Sequence, residues 1–410
     1  MFVADKQCSL SAIVSACGRS VRFIEIGHAG GQIVTTATAD QSKEAIRDAT
    51  NELEKPMHAE DLPIKGKIEW AQKHLPFVDG KPSAGVSGFG MVVFKGKIYH
   101  FGGFIPAGDE TQDIGRRTSR WAHVYDPKTD EWTKLPDMPG RREYCSAIAG
   151  DKGIYVLGGG VQGKAYKAKA DVFFLDLSGK EPVWQEHGQL SSPRTHMACD
   201  RIDNKLIAVG GHEFGFNGEA YDPQNARNIV EILDLANQKQ GWKLGSPMPH
   251  SCGWSASGVI GTKLYAMGGF TGGFTDLAAG RLRENYCYDL ATDSWTQLKT
   301  FPDYVAGWEG EAYKDRYIIC IGGVRFRTDN PQDMIWNSKL FLYDTQDDTW
   351  YRMEGDLPKT KWSSNPAAPH LTTLHDPGVC IIGDTIYAAG AEGPEATHSD
   401  YFLVGKITLD

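Results

Sequence analysis

An apolar run ending in two small residues recurs six times in this chain of 410 residues. The copies are KIYHFGG to Gly103, GIYVLGG to Gly159, KLIAVGG to Gly211, KLYAMGG to Gly269, RYIICIGG to Gly323 and a degenerate TIYAAGA to Ala391. Self-similarity at intervals of about fifty to seventy residues marks an array of one repeated supersecondary unit, and so constrains the fold more than any local motif. Downstream of each of the first five copies comes an apolar strand with Asp and then Trp: VYDPKTDEW to Trp132, FFLDLSGKEPVW to Trp184, EILDLANQKQGW to Trp242, NYCYDLATDSW to Trp295 and FLYDTQDDTW to Trp350. Short β-branched and aromatic runs separated by Asp-Pro, Thr-Asp and Asp-Asp read as hairpins, not as βαβ units. Alone, Gly158-x-Gly160-x-x-Gly163-Lys164 has the outline of a nucleotide loop. After Gly160, however, the chain returns to a strand with no amphipathic helix to cap a phosphate, and the glycines are better explained by close backbone approach in a second strand.

The ordered recurrence of the double glycine, the Tyr/Leu-Asp pair and the Trp resembles the Kelch repeat family over about residues 67 to 410. The resemblance implies an all-β fold, a Kelch β-propeller with four antiparallel strands per blade, and the repeat count predicts six blades. The sixth copy ends in DYFLVGKITLD without its Trp strand. KIEWAQKHLP at 67–76 matches DEWTKLPDMP at 130–139, so the N-terminal strand is expected to close the last blade and remove the open sheet edges. Residues 1–66 do not follow the repeat and are expected to be an appendage or a leader; SVRFIEIG and QIVTTATA look strand-like, and SKEAIRDATNELEK has helix-forming composition.

Bulk properties exclude several classes. A formal net charge of −9 argues against broad capture of nucleic acid by a basic face. No run of about 18 apolar residues is available to span a membrane as a helix. The eight cysteines stand singly, with no CxxC pair and no zinc-finger spacing, so neither a disulfide framework nor a metal site is expected. Val14-Ser15-Ala16-Cys17 resembles a lipoprotein cleavage box, but Asp5 cancels Lys6 where a signal peptide has a positive start. Export or a cytoplasmic location both stay open.

Long loops follow the glycine pairs in four copies, and binding residues concentrate on such loops when a rigid scaffold carries them. Fourteen residues before the first glycine of each pair, where the first strand of a unit should begin on that same face, stand Gly88, Tyr144, His196, Trp254, Trp308 and Asp376. Arg142 and Arg194 lie two positions earlier in their units; Glu309, His375, His212, Glu213, Arg325 and Arg327 complete the rim. Tyr144, His196, Arg194 and Arg142 are candidate catalytic residues. Trp254, Trp308, Glu309, His212, Arg325 and His375 are candidates for substrate binding. Aromatic faces with arginine forks suit an acidic sugar, and a Tyr or His base beside an arginine-neutralised carboxylate suits β-elimination or epimerisation. In outline this resembles the Kelch-type sialic acid mutarotases and propeller polysaccharide lyases, although none of their specific motifs is matched. His212-Glu213 and the pair His370 and His375 lack convincing ligand spacing, and no cofactor is expected. The same positions have a structural reading: Arg194 and His196 as hydrogen-bonding groups between units, Trp254 and Trp308 as packing. Two functions therefore remain, a lyase or epimerase/mutarotase-type propeller taking an acidic carbohydrate, and a non-enzymatic Kelch module with a protein partner.

Overall fold

The computed structural model describes residues 57–409 apart from 77–84, 107–115, 163–165, 214–225, 272–279, 331–333, 362–370, 394–396 and the single positions 359 and 373; ahead of these it describes three strands between residues 15 and 36. The chain divides into two units, Met1–Met57 and His58–Asp410. In the first, Ser15–Cys17, Ser20–Ile26 and Gln32–Thr36 form an antiparallel sheet in sequence order. The helix-forming stretch 42–55 lies outside the described residues.

The second unit is all-β and propeller-like. Among its described residues there is no α-helix, only the 3-10 turns Ala59–Asp61 and Gln238–Gln240. The strand sequences alternate as expected of sheets packed on one another, and each repeat folds into an antiparallel meander. The first meander runs Ser87–Phe94, Lys97–Pro106, Ala122–Asp126 and Glu131–Lys134. Three more, opening with Ser146–Ala149, Ala198–Ile202 and Ala256–Ile260, stand as separate four-stranded sheets. The last two repeats, opening with Tyr304–Tyr313 and Gly378–Ile382, belong to one nine-stranded sheet. They are joined because Ile64–His74, paired antiparallel with Tyr401–Thr408, overshoots that partner. Its first residues run parallel to Thr349–Glu354, with Ile64 opposite Arg352 and Lys67 opposite Glu354. Opening strands of successive meanders touch one another, and the last touches the first.

The core fills the spaces between neighbouring meanders. Tyr99 and Phe101 of the first pack on Cys145, Ile154 and Phe173 of the second, while Phe89 and Tyr125 pack on Cys380, Tyr387 and Phe402 of the last. Each such side chain, fully buried, stabilises the fold by roughly 1.5–3 kcal/mol. The double glycine is what lets the sheets approach. Gly102 has φ +75°, and a Cβ there would sit 2.3 Å from the Arg142 carbonyl oxygen of the next meander. Gly103 N–H then donates to that same oxygen at 2.8 Å. The degenerate sixth copy keeps the glycine that matters: a Cβ on Gly390 would lie 2.3 Å from Val86 O, and Ala391 N–H donates to that oxygen at 3.0 Å.

The repeat tryptophans bridge the outer strands. Trp184 Nε1 donates to Pro136 O at 2.8 Å, Trp295 to Ser246 O at 2.9 Å and Trp350 to Lys299 O at 3.2 Å. Trp70 on the N-terminal strand donates to Gly355 O at 2.7 Å, the equivalent bond in the joint between the two ends of the ring. Of the five repeat tryptophans, Trp350 is fully buried, while Trp132, Trp184, Trp242 and Trp295 are half-buried at the outer edge of the core.

Candidate functional site

Where the opening strands begin, five main-chain bonds link six positions into a belt that runs from Gly88 to Asp376. Tyr144 N–H donates to Gly88 O at 2.5 Å, His196 to Tyr144 O at 3.2 Å, Trp254 to His196 O at 3.2 Å, Gly307 to Trp254 O at 3.1 Å and Asp376 to Gly307 O at 3.0 Å. All six residues are left-handed, with φ from +50° at Tyr144 and Asp376 to +67° at Gly307. For Tyr, His, Trp and Asp this conformation costs on the order of 1–2 kcal/mol each and is held by the surrounding bonds. Two belt positions require glycine because a neighbouring ring covers them: a Cβ on Gly88 would lie 2.6 Å from the Tyr144 ring, and one on Gly307 would lie 2.2 Å from His375 Nε2.

The belt surrounds a cavity of ≈ 390 Å³ that continues along the opening strands. Tyr144, His196, Trp254, Glu309 and Asp376 all line it, so five of the expected residues come together, four of them at positions counted from the glycine pairs. The aromatic rings adjoin one another around the mouth, Tyr144 tilted against His196 at 4.0 Å and His196 edge-on to Trp254 at 4.5 Å between centroids. Deeper in, Glu309 and Glu311 project from Tyr304–Tyr313 on the same side, two residues apart, and Asp200 projects from Ala198–Ile202. The wall is therefore strongly acidic. Burial, with Asp376 nearby, pushes the Glu309 carboxyl well up; burial, then Asp200 and Glu309, does the same for Glu311. Asp376 is raised to about 7, chiefly by burial. Burial drives the Tyr144 phenol well up, helped by Glu392, Asp376 and Glu143, and holds His196 neutral by lowering it well below the ordinary imidazole value.

Five expected site residues are placed elsewhere. Trp308 is not the belt residue: Gly307 is, and Trp308 lies one position on, turned into the core. There its Nε1 donates to Met267 O at 2.9 Å and its ring stacks on Trp350. Arg142 is buried, with one guanidinium nitrogen 2.6 Å from Asp171 and its plane over the Phe173 ring. Arg194 is completely buried, ion-paired to Glu231, and donates to Gly210 O at 2.7 Å. Arg325 is ion-paired to Asp303 and Glu60, with Nε donating to Asn337 Oδ1 at 3.0 Å. It thereby ties the turn at Ala59–Asp61 to the sheet. His212 is fully buried beneath Trp254, 5.4 Å between centroids, where burial lowers its imidazole to about 4; Glu213 pairs with Arg227. His370 lies outside the described residues, as do parts of the long loops: 107–115, 214–225, 272–279 and 331–333.

Asp200, Glu311, Glu392 and Gly307 escaped the sequence reading. Alternation along the strand from Glu309 would have identified Glu311. Asp200 carries a testable consequence. Burial raises its carboxyl from 3.8 to about 6. A raised acid stabilises the fold only while protonated, so this contribution is complete below about pH 4 and is lost as pH rises towards 6. Asp200→Asn keeps an acceptor for the Arg201 N–H, which donates to Asp200 Oδ1 at 2.6 Å. The variant is expected to be more stable than the parent by about 1–2 kcal/mol above pH 6, after allowing for solvent in the cavity. Urea titrations at pH 4 and pH 7.5 should show the gain at the higher pH alone.

The Kelch motif model matches residues 85–139 and 255–302. The chain is similar to the Kelch-like protein terF of Aspergillus terreus, 33% identical over 239 residues, which is 57% of this chain and 49% of that protein. It is also similar to Kelch-like protein 35 of Mus musculus, 26% identical over 64% of this chain and 38% of the relative. An F-box/kelch-repeat protein of Arabidopsis thaliana is 26% identical over 44% of this chain and 42% of its own length. The chain thus spans half or less of the length of these curated relatives. With motif matches in two of the meanders, Kelch-like relatives and glycine pairs that set the sheet-to-sheet approach, the chain is a Kelch repeat protein with a propeller fold.

Proposed function

We propose that the chain is a protein-interaction module: a six-bladed ring, with residues 1–66 as an appendage, that binds a protein partner on the face carrying the long loops. In this reading the nine-stranded sheet counts as two blades, and Ile64–His74 closes the last of them. The acidity of the cavity carries the functional choice. A uronate or sialate entering past Tyr144 would meet Asp376, Glu309, Glu311 and Asp200, while the arginines expected to receive its carboxylate are engaged with Asp171, Glu231 and Asp303. Such a wall offers an anion no free cationic partner among the described residues, whereas its buried carboxyls, which ionise on gaining a cation beside them, suit a basic side chain. One of the relatives supports the same choice, since its name joins kelch repeats to an F-box. Tyr144, His196, Trp254 and His375 then supply an aromatic surface on which an anchoring partner side chain packs, in place of catalytic roles.

Photo-crosslinking residues at Glu213 and Lys169, beside the glycine pairs, should capture one discrete protein partner. The same probe at Asp203 and Lys314, in the hairpin turns of the opposite face, should not. Capture from the turns alone, or release of an ultraviolet-absorbing product from uronate polysaccharides, would refute this reading.

A further inference from the structure

Beside the cavity mouth, the ladder places three potential metal ligands together. His375 and Glu392 face each other in an isolated antiparallel bridge, with Glu392 N–H donating to His375 O at 2.8 Å. Asp376 follows at the last belt position. One ligand atom from each of the three lies within 4.8 Å of the others. A common ion about 2.1 Å from each requires the three side chains to close in on it by up to about 1 Å.

A separate observation points to a ligand. Asp376 is 6% exposed, and its Oδ2 accepts no hydrogen bond; His375 Nδ1 is 3.3 Å away. A buried carboxylate oxygen left without a donor is costly, and a cation satisfies it. Around the cluster the arrangement is that of a supported site. Tyr144 Oη donates to Glu392 Oε2 at 2.7 Å, the kind of outer hydrogen bond that orients a ligating carboxylate. The His375 ring is seated over Gly307, where no Cβ displaces it.

We propose that His375, Asp376 and Glu392 bind one divalent transition-metal cation at the mouth of the cavity. One imidazole nitrogen with two carboxylates suits Mn²⁺, Fe²⁺ or Zn²⁺; Ca²⁺ requires six to eight oxygens, more than this cluster supplies. The remaining coordination positions face the cavity side, open to water or to a donor atom from a bound partner. The site does not depend on the interaction reading, since the ion is held by this chain alone.

The test uses the full chain, stripped with chelator and titrated with Mn²⁺ by electron paramagnetic resonance, with Zn²⁺ as competitor. One equivalent should bind and be displaced by Zn²⁺. Asp376→Asn and Glu392→Gln, both nearly isosteric, should each lower Mn²⁺ affinity at least about 100-fold. Tyr144→Phe, which removes only an outer bond, should lower it about 10-fold. Glu311→Gln, which removes a cavity carboxylate outside the cluster, should leave it unchanged. Metal-free melting curves matching the parent's will show that the ligand variants fold. Failure of the parent to bind one equivalent overturns the proposal, as does binding that survives both ligand substitutions. An equal loss in Glu311→Gln would also overturn it, by showing diffuse attraction to an acidic cavity.

Discussion

Replacing Arg194 with leucine is expected to lower the unfolding free energy by about 3–5 kcal/mol, because it leaves Glu231 charged and buried without its partner. Both side chains are almost fully excluded from solvent, at 0% and 1% exposure. The loss also strips a donor from Gly210 O, in the glycine pair that sets the approach of the next sheet. Glu231 would keep only its bond from Ser191 N–H, at 2.7 Å. Urea denaturation measures the effect, and the double variant Arg194→Leu with Glu231→Leu identifies its cause. Removing both charges should restore much of the lost stability, since an apolar pair avoids the desolvation penalty altogether. A single variant that unfolds like the parent and loses only ligand binding would return Arg194 to the functional site.

Deleting residues 1–77 should cost more, removing the cooperative thermal transition and giving aggregated protein. Ile64–His74 is held from both sides, by Tyr401–Thr408 and by Thr349–Glu354, and it buries Ile68 between them. Its removal exposes two unpaired strand edges at once, together with the apolar surface that Ile68 and the adjacent Leu75 cover. Against a typical domain stability of about 5–15 kcal/mol, that loss leaves little margin. A peptide of residues 58–77 supplied in trans should recover part of the native circular dichroism and the transition. A truncated chain that stays monomeric and melts at the parent temperature would mean that the ring does not depend on this strand.

The pairing of Ile64–His74 with Tyr401–Thr408 was legible because the sixth copy lacks a Trp strand and residues 67–76 match one; Trp70 makes the same outer-strand bond as Trp184 and Trp295. The belt was legible by counting, since the distance from strand start to glycine pair is fixed by a two-residue hairpin turn, as between Phe94 and Lys97. The count failed at Trp308 for a local reason. There Tyr313 pairs with Tyr317 across a three-residue turn, so the belt position moves back to Gly307. What could not be read was the pairing of charges. Arg194 and Arg142 look like ligands for an anion in a linear sequence, and only the third strands of their meanders, which bring up Glu231 and Asp171, reveal that the charges are already neutralised. The acid of the wall was half visible: Glu309 was in view, whereas Asp200 faces it from a strand more than 100 residues earlier in the chain.

The belt is built from main-chain groups alone, and this separates two kinds of selection on the same six positions. At the four positions not covered by a neighbouring ring, any residue able to hold a left-handed turn satisfies the architecture, so the side chain displayed over the axis is released from the task of holding the belt together, whereas Gly88 and Gly307 lie under Tyr144 and His375 and must stay glycine. Glycine, tyrosine, histidine, tryptophan and aspartate already occupy equivalent places here. A ring of this kind can change what it recognises one position at a time while its scaffold stays the same, like a socket whose contacts are replaced without recasting the housing.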